Sequence, residues 1–189
     1  MKYFLSVIIV LTFSISGHAK KFCYPIEVVA GMADLIVVGK IEKVSSGSYQ
    51  FRISTTVKGQ VKDLIKVQKF EEWTCDKRMK KAKKGQELFL FLTMKAEKYE
   101  IINGSTGEMF IENGVVQRVF NTLQPKTADL ITALKAFTSS FKYKGKDYDT
   151  SDKNFFFQLK TDKEIRELSA KTRLTSWFFD RVKEYEIKK

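Results

Sequence analysis

Histidine is all but missing from this sequence: the one that exists, His18, sits close to the N-terminus. The remainder of the chain therefore excludes catalytic triads with a histidine base, histidine-ligated zinc and histidine acid–base pairs. Cysteine is nearly as scarce. Cys23 and Cys75 are the only two, too few thiolates for a structural zinc site. Any enzyme built here would have to use carboxylates, lysines or tyrosines. The candidates are Glu71 with Glu72 and Asp147 with Asp149, which read as ordinary surface acids, so catalysis is the least favoured of three functional classes. No cofactor or metal is expected.

Long apolar runs are missing too, with one exception. Tyr3 to Ile15 is 13 residues of mostly apolar sequence, short of the roughly 20 that a membrane helix needs. Lys2 precedes it, and the small residues Gly17 and Ala19 follow at the positions a signal peptidase reads. The pattern predicts a cleaved secretory signal over residues 1–19, a mature chain from Lys20 without a transmembrane segment, and a secreted or periplasmic protein. Lipid attachment at Cys23 is disfavoured because bulky or charged residues (Lys20, Lys21, Phe22) lead into it. In an oxidising compartment an even cysteine count favours a disulfide, with two buried free thiols as the alternative. A bond between Cys23 and Cys75 would contribute about 4 kcal/mol by chain entropy.

What the chain has in excess is positive charge. Its formal net charge is +12, spread over both halves, which suits anionic lipid headgroups, acidic polysaccharide or acidic proteins. The densest segment is "KRMKKAKK", with Lys77, Arg78, Lys80, Lys81, Lys83 and Lys84 in eight positions. It is a candidate anion-binding loop, weighed against a plain solvated loop. Nucleic acid is disfavoured by the compartment and by aromatics that fall on strand faces expected to be buried.

Between Ala33 and Phe120 the pattern is β. Asp34 to Val44 is a nearly continuous apolar run, and Tyr49 to Gly59 alternates cleanly, with "SSGS" between them as a hairpin turn. Asp63 to Trp73 reads as a third strand. Gln86 to Met94 is apolar on both faces and should be central, and Glu97 to Ile102 is a fifth strand. Asn113-Gly114 between apolar runs predicts a tight terminal hairpin within Gly107 to Phe120. After Pro125 the period becomes helical: Thr127 to Phe137 with Thr127 as N-cap, then a polar loop or linker over Lys142 to Asn154. Thr161 and Glu164 form a capping box, opening helical segments with Leu174, Phe178, Val182 and Tyr185 on one stripe. The expectation is a mainly β protein: a five-stranded OB-type barrel plus β-hairpin, packed by a helix, with a helical C-terminal extension. Residues 20–141 would form the barrel domain with its helix, and 142–189 the linker and extension.

The ordered set Cys23-x-Pro25, "ADLIVVGKIEKV", "FRISTTVKG", Cys75 after the third strand and "GQELFLFL" resembles the netrin-like module, the OB-type barrel of the tissue inhibitors of metalloproteinases. The resemblance covers roughly Cys23 to Phe137. It implies a Cys23–Cys75 disulfide and a candidate inhibitory ridge of Cys23, Tyr24 and Pro25 beside Trp73, Thr74 and Cys75. In those inhibitors the free amine of the first cysteine chelates the target's zinc. With three residues ahead of Cys23 its nitrogen is an amide, which lacks that ability. The leading reading is thus a non-catalytic binding module for an extracellular or envelope protein or a polyanionic surface, with a metalloprotease inhibitor as the alternative.

Overall fold

A computed structural model describes residues 21–117, 123–145 and 155–189. The segment expected to be a signal, with His18, lies outside them, as do Asp147 and Asp149.

The chain opens with a short helix that the sequence reading missed, α1 (Ile26–Met32), entered from Pro25. Then come β1 (Leu35–Val44), β2 (Ser48–Lys58), β3 (Leu64–Gln68), β4 (Glu87–Lys95) and β5 (Lys98–Ile101). These five pair in the order β1-β2-β3-β5-β4, and β4 pairs back onto β1 from Leu35↔Leu92 to Lys40↔Glu87, closing the barrel. All contacts are antiparallel except β3 with β5, which run parallel over Val67↔Tyr99 and Gln68↔Glu100. A 3-10 turn (Gly104–Thr106) leads to β6 (Glu108–Glu112) and β7 (Val115–Val116), the expected hairpin laid on the outer edge of β4. Its turn residues Asn113 and Gly114 have φ of 50° and 74°, the left-handed pair that a type I′ turn demands. The third strand is shorter than expected. After Gln68 the chain leaves the sheet, and only the isolated bridge Trp73↔Asp76 continues the β pattern.

Helix α2 (Thr127–Ser140) packs against this assembly. Thr127 is its first helical residue, and Lys126 takes the cap position; the Thr127 hydroxyl donates instead to the Gly114 carbonyl at 3.0 Å. Beyond it lie β8 (Phe141–Lys144), β9 (Phe155–Gln158), α3 (Asp162–Ser169), α4 (Arg173–Val182) and β10 (Glu186–Lys188). The three strands make a second sheet in the order β10-β9-β8. The start of the expected polar loop, Lys142 to Lys144, is therefore strand. The Thr161–Glu164 capping box forms as expected, with the Thr161 N–H donating to Glu164 at 2.9 Å and the Glu164 N–H to the Thr161 hydroxyl at 3.3 Å.

The described residues form two cores. One fills the barrel, with Tyr49, Phe51, Val67, Leu88, Leu90 and Leu92. The other lies outside it and joins both ends of the chain: Val28 and Val29 of α1, Phe89 and Phe91 of β4, Phe137 of α2, Phe156 of β9, and Phe178 and Val182 of α4. β4 feeds both, since successive side chains alternate between the inner and outer faces. Each buried phenylalanine removes enough apolar surface to contribute about 2–3 kcal/mol, so the C-terminal helices are sealed onto the barrel wall by the same core that holds α1.

Candidate binding surface

Two segments named from sequence, around Cys23 and around Cys75, hang on one anchor. Asn103, in the left-handed conformation (φ 51°), donates from Nδ2 to the Phe22 carbonyl at 3.0 Å and accepts the Tyr24 N–H at 3.1 Å. It thereby brackets Cys23 and fixes its backbone. Beside it, buried Asp76 accepts at one oxygen from the Lys21 ammonium (2.9 Å) and the Ser105 N–H (3.1 Å). Lys21 also donates to the Ser105 and Thr106 hydroxyls, and its side chain is only 7% exposed. Gly104 must be glycine, because a Cβ there would lie 1.9 Å from an Asp76 carboxylate oxygen.

The reciprocal Trp73–Asp76 backbone hydrogen bonds (3.2 and 3.0 Å) fold residues 73–76 into a tight turn with Thr74 and Cys75 at its tip. Cys23, Trp73, Thr74 and Cys75 are exposed, while Tyr24 and Pro25 are half-buried. No disulfide joins the cysteines: both are free and exposed, which corrects both the bonded and the buried-thiol expectations. The ion pair and amide clasp, with no cross-link, hold the two segments.

The basic loop divides. Arg78 turns inward and is not part of an anion-binding surface: its side chain is 3% exposed and its guanidinium donates to Glu108, itself 1% exposed. Tyr49 donates to the same carboxylate at 2.8 Å, and the Phe70 ring lies 5.1 Å below the guanidinium. Burial raises the Glu108 carboxyl above the usual glutamate range despite the arginine, and pushes the Tyr49 phenol well above 10. Lys80 pairs with Glu112. Gln86 staples the loop by accepting the Lys83 N–H (2.9 Å) and donating to the Lys81 carbonyl (2.8 Å). What remains is Lys77, Lys81, Lys83 and Lys84, exposed and without an ion pair among the described residues.

A cleft of about 660 Å³ adjoins the loop, reaching from Lys84 and Gly85 across β1 and β2 to Gly114. Four of its charges are matched within the protein, Lys40 with Glu87 at 2.9 Å and Arg52 with Glu42, and Lys84 is left without an ion pair among the described residues. Glu71 and Glu72 are exposed, and Glu72 accepts the Arg78 N–H. A third buried carboxylate gives no sign of itself in the sequence. Glu27 of α1 is fully buried and accepts from Arg181 (2.9 and 3.1 Å) and the Tyr185 hydroxyl (3.1 Å). Its partners lie 154 and 158 positions away, so no local signal could have exposed it. Among the described residues no group of histidine, cysteine or acidic side chains is placed to hold a metal, and no helix is long and apolar enough to cross a membrane.

No family model, curated protein or solved structure matches the chain.

Proposed function

We propose that this chain is an exported, non-catalytic binding module of the netrin-like type, whose barrel carries a lysine loop toward a polyanionic partner. One observation carries the reading: four exposed lysines without ion pairs among the described residues, on a loop tied at both ends to the barrel, by Arg78 inside and Gln86 outside. A fixed cluster of cations loses less conformational entropy on binding than a mobile one. Sulfated polysaccharide, an anionic bilayer or an acidic envelope protein offers the complementary charge, each lysine contributing about 1 kcal/mol near such a surface and less in salt. The test is heparin chromatography of the wild type beside Lys81→Glu/Lys83→Glu/Lys84→Glu. Salt-dependent retention that the triple variant loses supports the reading; equal elution of the two overturns it.

A second reading, metalloprotease inhibition through the Cys23 end, is favoured by the shared anchor of the Cys23 and Cys75 segments. Chelation would require the Cys23 amine to be free, hence the loss of Lys21. The Lys21–Asp76 ion pair makes that residue part of the fold and argues for cleavage before it. Mass spectrometry of the exported chain decides: a start at Lys20 removes the chelating route, and a start at Cys23 calls for an inhibition assay against a zinc protease.

A further inference from the structure

A second cleft, of about 520 Å³, lies between α3, α4 and the three-stranded sheet. Its floor is apolar, formed by buried Phe141 and Phe179 with half-buried Ile165. Its rim carries Arg166, Arg173 and Lys183, and no carboxylate lines it. Arg173 makes no ion pair or side-chain hydrogen bond among the described residues. Arg166 is near enough to Asp162 only for a through-space effect. Lys183 pairs with Asp180 at 2.7 Å, but both side chains are more than half exposed, where such a pair contributes little.

The contrast with the 660 Å³ cleft is informative. That one carries two ion pairs on its rim, whereas this one sets three cations over an apolar floor with no carboxylate in its lining and only the exposed Lys183–Asp180 pair to offset them among the described residues. Charge complementarity selects an anion, and the phenylalanine floor selects an apolar body attached to it. The volume falls in the range of small-molecule sites. Arg173 is also the first residue of α4, so the positive end of that helix adds to the same field.

We propose that this cleft binds one amphiphilic anion, an alkyl chain headed by a carboxylate or phosphate group. The site is independent of the lysine loop.

The test is titration calorimetry of the full chain with dodecanoate and dodecyl phosphate, both below their micelle-forming concentrations. Inorganic phosphate, dodecanol and phosphatidylcholine/phosphatidylglycerol vesicles serve as separate arms. The expected result is one molecule bound per chain, and at least tenfold weaker binding of inorganic phosphate and of dodecanol. Arg166→Glu/Arg173→Glu should weaken the amphiphile at least tenfold. Ser169→Phe, which fills the cleft and leaves its charges in place, should do the same. The loop variant Lys81→Glu/Lys83→Glu/Lys84→Glu should leave this affinity unchanged, so that the loop and the cleft stand or fall separately. The inference is overturned if neither cleft variant weakens binding, if inorganic phosphate binds as tightly as dodecyl phosphate, or if vesicles bind while the monomeric amphiphiles do not. The better head group among the two amphiphiles identifies a free fatty acid or a phosphate-bearing lipid as the natural class.

Discussion

Arg78 shows what a single residue can hide in a charge run. In "KRMKKAKK" it is one of six equivalent cations; in the fold it is the buried partner of Glu108, lying over the Phe70 and Tyr49 rings. The sequence cannot distinguish it, because what makes it different is a carboxylate 30 positions away. Glu108→Ala would strand the guanidinium in the interior and should cost about 3–5 kcal/mol in urea unfolding. Replacing both, as Arg78→Met/Glu108→Leu, should recover most of the loss; a single variant as stable as wild type would place the pair at the surface.

Lys58 titrates below the usual lysine range. Its ammonium donates to the Ala30 and Gly31 carbonyls at 3.1 and 3.0 Å, capping the end of α1. Burial lowers its pKa to about 8, with Lys142 adding to the shift and Asp34 opposing it. The unfolded chain then holds this proton up to about 10.5 and the folded one only to about 8. The penalty of keeping the charge is full below pH 8 and is relieved as pH rises from 8 toward 10.5, by at most about 3 kcal/mol. The difference in stability between wild type and Lys58→Met should therefore move in favour of wild type across that interval, measured by urea melts at pH 7 and 10. A difference that is flat with pH would refute the shift.

At the scale of elements, close approach is the sensitive variable. A Cβ on Gly31 would meet the Tyr143 Cβ at 2.4 Å, because α1 lies directly on β8. Gly31→Ala should cost about 1–3 kcal/mol by forcing the two apart. Gly47, with open space around it, should tolerate alanine within about 0.5 kcal/mol. Paired thermal melts compare them directly; equal effects would mean that the helix is free to move off β8.

The same elements explain what could be read in advance. β1, β2 and β4 were legible because their apolar faces follow a period of two or run unbroken, and Asn113-Gly114 announced its own turn. Helix α1 was not, since Ile26 to Ala30 are all buried and a short helix buried on every side has no amphipathic period to detect. β8 through β10 were missed for another reason. They are three or four residues long and rich in lysine and phenylalanine, and β10 finds its partner β9 in parallel across two intervening helices. Of the candidate sites, the exposed cysteines and lysines were visible as residue types. Their anchors, Asn103, Asp76 and Glu108, were not.

For the molecule as a whole, the outer core makes residues 161–189 structural. Without them Phe137 would lose the Phe178 ring at 5.5 Å, Phe141 the Phe179 ring at 5.3 Å and Phe156 the Tyr185 ring at 5.2 Å. A chain ending at Lys160 should lose its cooperative urea transition and bind a hydrophobic dye; a cooperative transition in the truncated chain would show the barrel to be self-sufficient. Both cysteines, in contrast, should react with iodoacetamide in the folded, reduced protein without denaturant. A requirement for unfolding would place them inside.

Glu27 and Arg181 meet across nearly the entire length of the chain. A polypeptide is delivered N-terminus first, whether by a ribosome or through a membrane pore, so Glu27 emerges long before its counter-ion. Until the last helix arrives, α1 has a carboxylate it cannot bury and half of a core with nothing to close against. Arg181, Tyr185 and β10 all lie in residues 181–189, so the clasp on Glu27 is made only once that stretch is present.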